Sequence, residues 1–99
     1  MSVHFTRAAV GQIREILAYV SEENPKTADR IAERFQTVTE LILARPQIGR
    51  PTNRGNVRVF RINPYPYLIF YRIHGRERAH SITVMKVRHT AQSGDWRAG

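Results

Sequence analysis

Arg58, Arg61 and Arg88 stand in the β-forming runs VRVFRI and ITVMKVRH, and Arg88 is followed at once by His89. A guanidinium is planar, permanently charged and able to grip a phosphate or carboxylate through two N–H groups together. An imidazole titrates near neutrality and suits proton transfer. Each residue has two readings. The three arginines line one patch for phosphate or acidic groups, or they are ordinary strand arginines turned to solvent. His89 is an acid–base group, or it hydrogen-bonds a carbonyl. Arg50, in a Gly-Arg-Pro turn, touches a target or partner, or it satisfies loop carbonyls; it is not expected to be catalytic. Trp96 and Arg97 lie in a short polar tail, where the indole either anchors the tail to the body or forms an interaction hot spot. The candidate binding residues are therefore Arg50, Arg58, Arg61, Arg88, His89, Trp96 and Arg97. His74 and His80 bracket a Gly-Arg-Glu-Arg-Ala connection and could face each other, but two imidazoles without a third ligand make a poor metal site. No metal and no cofactor is expected.

The charge behind this chemistry is unevenly placed. The chain has 99 residues and a formal net charge of +8. Met1 to Ala44 carries five basic residues against six acidic ones, whereas Arg45 to Gly99 carries eleven basic residues against only Glu77 and Asp95. The excess is almost all arginine, so an acidic partner or a polyanion is expected. Cysteine is absent, which excludes a disulfide framework and a thiolate zinc site and suits a reducing cytoplasm. No apolar run is long enough for a signal peptide or a membrane span, so a soluble, unexported protein is expected.

The elements that must position these residues are legible in the spacing. Val3 to Phe5 reads as a short strand, and Thr6 as the cap of a first helix running to about Ser21, with Ala9, Ile13, Ile16, Leu17 and Val20 on one stripe. Asn24-Pro25 starts a second helix, which carries Ala28, Ile31, Ala32, Phe35, Val38 and Ile42 on its buried face and ends before Pro46. So short a link makes the two a helical hairpin. Arg45 to Asn56, rich in Pro, Gly and Asn, reads as a loop. Val57 to Ile62, Tyr67 to Ile73 and about His80 to His89 then read as an antiparallel meander. The expected fold is α+β: one domain over residues 1–99, an N-terminal helical hairpin packed on a small antiparallel sheet, with residues 90–99 a C-terminal tail.

The stretch PYPYLIFYR holds four rings, Tyr65, Tyr67, Phe70 and Tyr71. In a strand Tyr67, Ile69, Tyr71 and Ile73 share one face, and Leu68 and Phe70 the other. Both faces are then largely apolar, as in a central strand. A platform for stacking bases needs exposed rings on one face with cations around them, so these rings are read as core.

In this order and spacing, PQIGRP (Pro46 to Pro51), VRVFRI (Val57 to Ile62), YPYLIFYRI (Tyr65 to Ile73) and ITVMKVRH (Ile82 to His89), following two amphipathic helices, resemble the ParE branch of the RelE/ParE toxin superfamily. The resemblance covers nearly the whole chain. It implies a bacterial, cytoplasmic toxin of a type II toxin–antitoxin pair that inhibits DNA gyrase by binding, causes growth arrest, and is held in a hetero-oligomer by a cognate ParD-like antitoxin with an acidic and apolar C-terminal segment. No catalytic residue is expected on that reading. The alternative within the superfamily is a RelE-like, ribosome-dependent mRNA endonuclease. Metal-free RNA cleavage needs a base for the 2′-hydroxyl, an acid for the leaving oxygen and cations for the phosphorane charge. Arg61, Tyr71, Arg88 and His89 are the set from which it would be assembled. RelE-like nucleases often carry an arginine in the strand matching Tyr67 to Tyr71; here that strand offers tyrosines, and Arg72 follows them. A second alternative is a basic nucleic-acid-binding module without catalysis.

Overall fold

The computed structural model describes residues 2–76 and 79–92, so Trp96 and Arg97 lie outside the described residues. Helix α1 (Arg7–Glu23) begins where Thr6 offers its hydroxyl oxygen to the Ala9 N–H at 3.1 Å. A single residue, Asn24, then serves two helices. Its N–H closes α1 on the Val20 carbonyl at 2.8 Å, and its side-chain oxygen accepts from the Thr27 N–H at 3.1 Å to open α2 (Pro25–Ala44). Pro25 fits the first turn because its missing N–H would have had no partner there. The resulting hairpin is asymmetric. Helix α2 buries Ala28, Ile31, Phe35, Val38 and Ile42, whereas α1 buries only Ala9 and leaves Ile13, Ile16, Leu17 and Val20 half-buried. Ala32 is exposed, because its neighbour Ile31 already lies on the stripe and one residue turns the helix by about 100°.

Five strands form one sheet in the order β1-β5-β4-β3-β2: β1 (Val3–Phe5), β2 (Arg50–Pro51), β3 (Val57–Arg61), β4 (Tyr67–His74) and β5 (Ser81–His89). The meander β3-β4-β5 is antiparallel, as the turn signals between the runs require. The sheet as a whole is mixed, since β1 pairs with β5 in parallel; parallel pairing needs a long crossover, which the intervening chain supplies. The segment Arg45 to Asn56 is more structured than a loop. It contains a 3-10 turn at Pro46–Ile48 and the two-residue strand β2, whose proline is tolerated because β2 is an edge.

Beyond Phe5, side chains of the first helical segment cover the β5 edge. The Thr6 hydroxyl donates to the Met85 carbonyl at 2.6 Å, and the Gln12 side-chain oxygen accepts from the Val87 N–H at 2.6 Å. Backbone groups left unpaired at an edge are thus satisfied, and the edge is closed to another strand. The same stretch carries a register shift: Phe70 pairs with Lys86 but Tyr71 with Val84, leaving Met85 as an extra residue.

The core has two sides. Ile62, Ile69, Tyr71, Ile82, Val84 and Val87 pack under the helices, while Val57, Val59, Leu68 and Phe70, with Met85 against them, form a second cluster on the opposite face. The rings of PYPYLIFYR are divided between these clusters, and β4 is the central strand that two apolar faces imply.

Candidate functional site

Tyr71 is 0 % exposed and lies on the helix side of the sheet. Its hydroxyl donates to the Pro46 carbonyl at 2.6 Å and accepts from the Gly49 N–H at 2.9 Å. Both bonds go to the Pro-Gln-Ile-Gly turn, so this phenol pins the turn against the sheet. Arg58, paired with Tyr71 across β3 and β4, grips the same turn: one guanidinium nitrogen donates to the Gly49 carbonyl at 2.7 Å and lies 3.4 Å from the Gln47 carbonyl. The loop-carbonyl role that the sequence offered for Arg50 therefore belongs to Arg58. Arg50 is exposed on β2, opposite Val59.

Burial pushes the Tyr71 phenol above its ordinary value of 10.0, against the opposing effects of the Gly49 hydrogen bond and the Arg58 charge. The sign follows from linkage. A raised folded-state value means that the stabilisation is complete below pH 10.0 and is lost as pH rises through the folded-state value. Tyr71→Phe should lower the unfolding free energy by about 1–3 kcal/mol at neutral pH, because the buried Gly49 N–H and the part-buried Pro46 carbonyl lose their partner. Urea titrations at neutral pH and above pH 10 check this: the loss above pH 10 should be smaller in the variant.

Arg61 and Arg88 are brought together. Arg61 pairs with Leu68 on β3-β4, and Leu68 with Arg88 on β4-β5, so the two arginines flank Leu68 in one row on the face away from the helices. Both are exposed. His89, the next residue, points to the other face: it pairs with Tyr67, its ring meets the Tyr67 ring edge-on at 5.5 Å, and its Nδ1 accepts from the Ala91 N–H at 3.0 Å. The four residues of the nuclease alternative thus divide, Arg61 and Arg88 on the open face, Tyr71 and His89 on the helix side. His74 and His80 also part. His74 lies 3.1 Å from the Thr83 hydroxyl, while His80 is buried with its Nε2 2.7 Å from the Leu43 carbonyl. Among the described residues no group of three or more metal-ligating side chains could hold an ion.

The open face has further cations that the separate motifs did not reveal. Lys86 stands over the Phe70 ring, with its ammonium 4.8 Å from the centroid. Burial lowers its pKa, and the neighbouring charges of Arg88 and Arg54 lower it further. Arg72, opposite Val57 and Thr83, belongs to the same face. Alternation back from Arg88 would have found Lys86; joining Arg72 to it required the register between strands. The strands β3, β4 and β5 contain no acidic residue.

Residues 3–94 match the family model of the ParE toxin of type II toxin–antitoxin systems, parDE. The chain belongs to the ParE toxin family. It is 28% identical over 90 residues to the candidate toxin Y4kP of Sinorhizobium fredii, covering 91% of this chain and 88% of that protein. Among solved structures, the chain superposes with a TM-score of 0.74 on one from the chromosomal ParDE system of P. aeruginosa, at 20% identity, covering 90% of this chain and 95% of that one. The TM-score is 0.64 for the YoeB/ParE toxin from Agrobacterium tumefaciens, at 14% identity, covering 90% and 98%. At such identities the likeness establishes the ParE fold: a helical hairpin packed on a five-stranded mixed sheet. Among the described residues of this ParE-family chain, no helix is long and apolar enough to cross a membrane.

Proposed function

We propose that this ParE-family toxin arrests bacterial growth by binding DNA gyrase in the cytoplasm, without chemical turnover of its own, and that a cognate ParD-like antitoxin neutralises it. The observation that carries the reading is the division of Arg61, Tyr71, Arg88 and His89 between opposite faces of the sheet. Acid–base cleavage needs its base, acid and cations within hydrogen-bond reach of one reacting phosphate. A proton donor whose hydroxyl is already committed to Pro46 and Gly49 under the helices does not meet that demand. What is left on the open side is a binding surface, with Arg61 and Arg88 at its centre and Arg50 at its β2 margin. An antitoxin segment that is acidic and apolar complements a chain with net charge +8, and the chromosomal ParDE system of the P. aeruginosa relative fits such a pairing.

Expression from a tightly controlled promoter tests the reading. Cells should accumulate DNA cleaved by gyrase while transcripts stay intact. Codon-linked mRNA cuts that vanish in Arg61→Ala or His89→Ala would replace this reading with the endonuclease.

A further inference from the structure

The sheet face away from the helices joins three properties. Its cations are numerous: Arg61, Arg72, Lys86 and Arg88 project from the three meander strands, Arg50 extends the face on β2, and Arg54 approaches Lys86 closely enough to lower its pKa. Among the described residues these cations meet no carboxylate of the sheet. Arg50, Arg54, Arg61 and Arg88 are exposed, the Nε of Arg72 is buried without a hydrogen-bond partner, and the meander strands contribute no carboxylate. Its apolar residues are shielded: Val57, Val59, Leu68 and Phe70 are each 6 % exposed or less, and Lys86 lies over the Phe70 ring. What the face offers a ligand is therefore mostly positive charge. Arg61 and Arg88 are two strands apart, about 10 Å, and Lys86 is two residues from Arg88, about 7 Å along the strand.

We infer that this face binds the phosphate backbone of duplex DNA. The inference leans on the gyrase reading only for its setting, the DNA that gyrase holds; the binding itself belongs to the chain alone. A duplex is favoured over single-stranded RNA because the aromatic ring at the centre of the face is covered by Lys86, leaving it unavailable as a stacking platform for unpaired bases. It is favoured over an acidic, apolar peptide because the apolar ground that such a peptide would bury is already covered. Backbone contacts of this kind carry no sequence preference.

The probe is a labelled duplex of about 20 base pairs titrated with the full chain in the absence of gyrase, across 50–200 mM salt. With about four phosphates neutralised, log affinity should fall against log salt with a slope of about −3.6, roughly a 100-fold loss over that range, and binding at physiological salt should be on the order of 10 µM. Arg61→Glu with Arg88→Glu should weaken binding more than tenfold and bring the slope to about −2, whereas Arg61→Lys with Arg88→Lys should keep most of it. Arg14→Glu with Arg30→Glu, the same charge change on exposed helix positions, separates face from net charge. Equal losses in the two reversal pairs would overturn the inference. So would wild-type binding by the Arg61/Arg88 reversal, or tighter binding of a single-stranded RNA than of the duplex. Absence of gyrase-cleaved DNA in cells, with duplex binding intact, would remove the gyrase reading and leave this one standing.

Discussion

Gly49→Ala is expected to lower the unfolding free energy by about 3 kcal/mol, as overpacking in a tight site combined with a lost buried hydrogen bond. The glycine needs no unusual backbone: its φ of −73° and ψ of 160° are open to any residue. What it needs is the absence of a side chain. A Cβ there would lie 2.5 Å from the Tyr71 hydroxyl oxygen, 2.9 Å from a Tyr71 ring carbon and 2.9 Å from the Val59 carbonyl oxygen. Tyr71 is held by the core and cannot swing aside, and Val59 O belongs to the sheet backbone. The turn would have to lift away, breaking the bonds to Tyr71 and displacing the carbonyl that Arg58 grips. Gly11→Ala supplies the contrast: its Cβ meets nothing within 4 Å among the described residues, and it lies inside α1. There alanine should stabilise by up to about 1 kcal/mol through helix propensity. Urea unfolding of both variants measures the pair, and two shifts of the same sign would show the account of Gly49 to be mistaken.

The double reversal Arg61→Glu and Arg88→Glu should restore growth on induction, with the protein accumulating at wild-type levels. Both side chains are exposed and flank Leu68 on the open face, so their replacement disturbs no core contact. Reversing two charges in a surface that contacts acidic or phosphate groups turns two attractions into repulsions. At about 1–1.5 kcal/mol each, that is a loss of target affinity of roughly 30- to 150-fold. Colony counts under induction, paired with a thermal melt showing an unchanged fold, are the measurement. Full growth arrest by the folded double variant would move the toxic surface elsewhere, with the exposed side of the helical hairpin as the next region to mutate.

Most of the architecture was legible because it rests on short-range rules. Thr6, Asn24 and Pro25 announce helix boundaries through groups that only a helix start can satisfy, and the 3.6-residue stripes of both helices point to one shared core. The alternation through Leu68, Ile69, Phe70 and Tyr71 identifies a central strand because two apolar faces can only be covered from both sides. The parallel β1-β5 pairing and strand β2 were less legible. Val3 to Phe5 reads as a strand whatever its partner, and a two-residue strand containing proline has no periodicity to detect.

The candidate site divides in the same way. The sequence by itself determined that the C-terminal half is cationic, that PYPYLIFYR is core, and that the order of motifs is that of ParE toxins, because charge, alternation and motif order are properties of the chain read along its length. Only the tertiary structure decided which arginines lie together. Arg58 and Arg61 are three residues apart and therefore on opposite faces, the one committed to the turn at Gly49, the other aligned across Leu68 with Arg88, 27 positions later. That Tyr71 pins the Pro-Gln-Ile-Gly turn was decided in the same way. Which side of a sheet a residue takes, and what stands across from it, depends on register and bulges between strands, and those are set by packing among segments that the linear sequence keeps far apart.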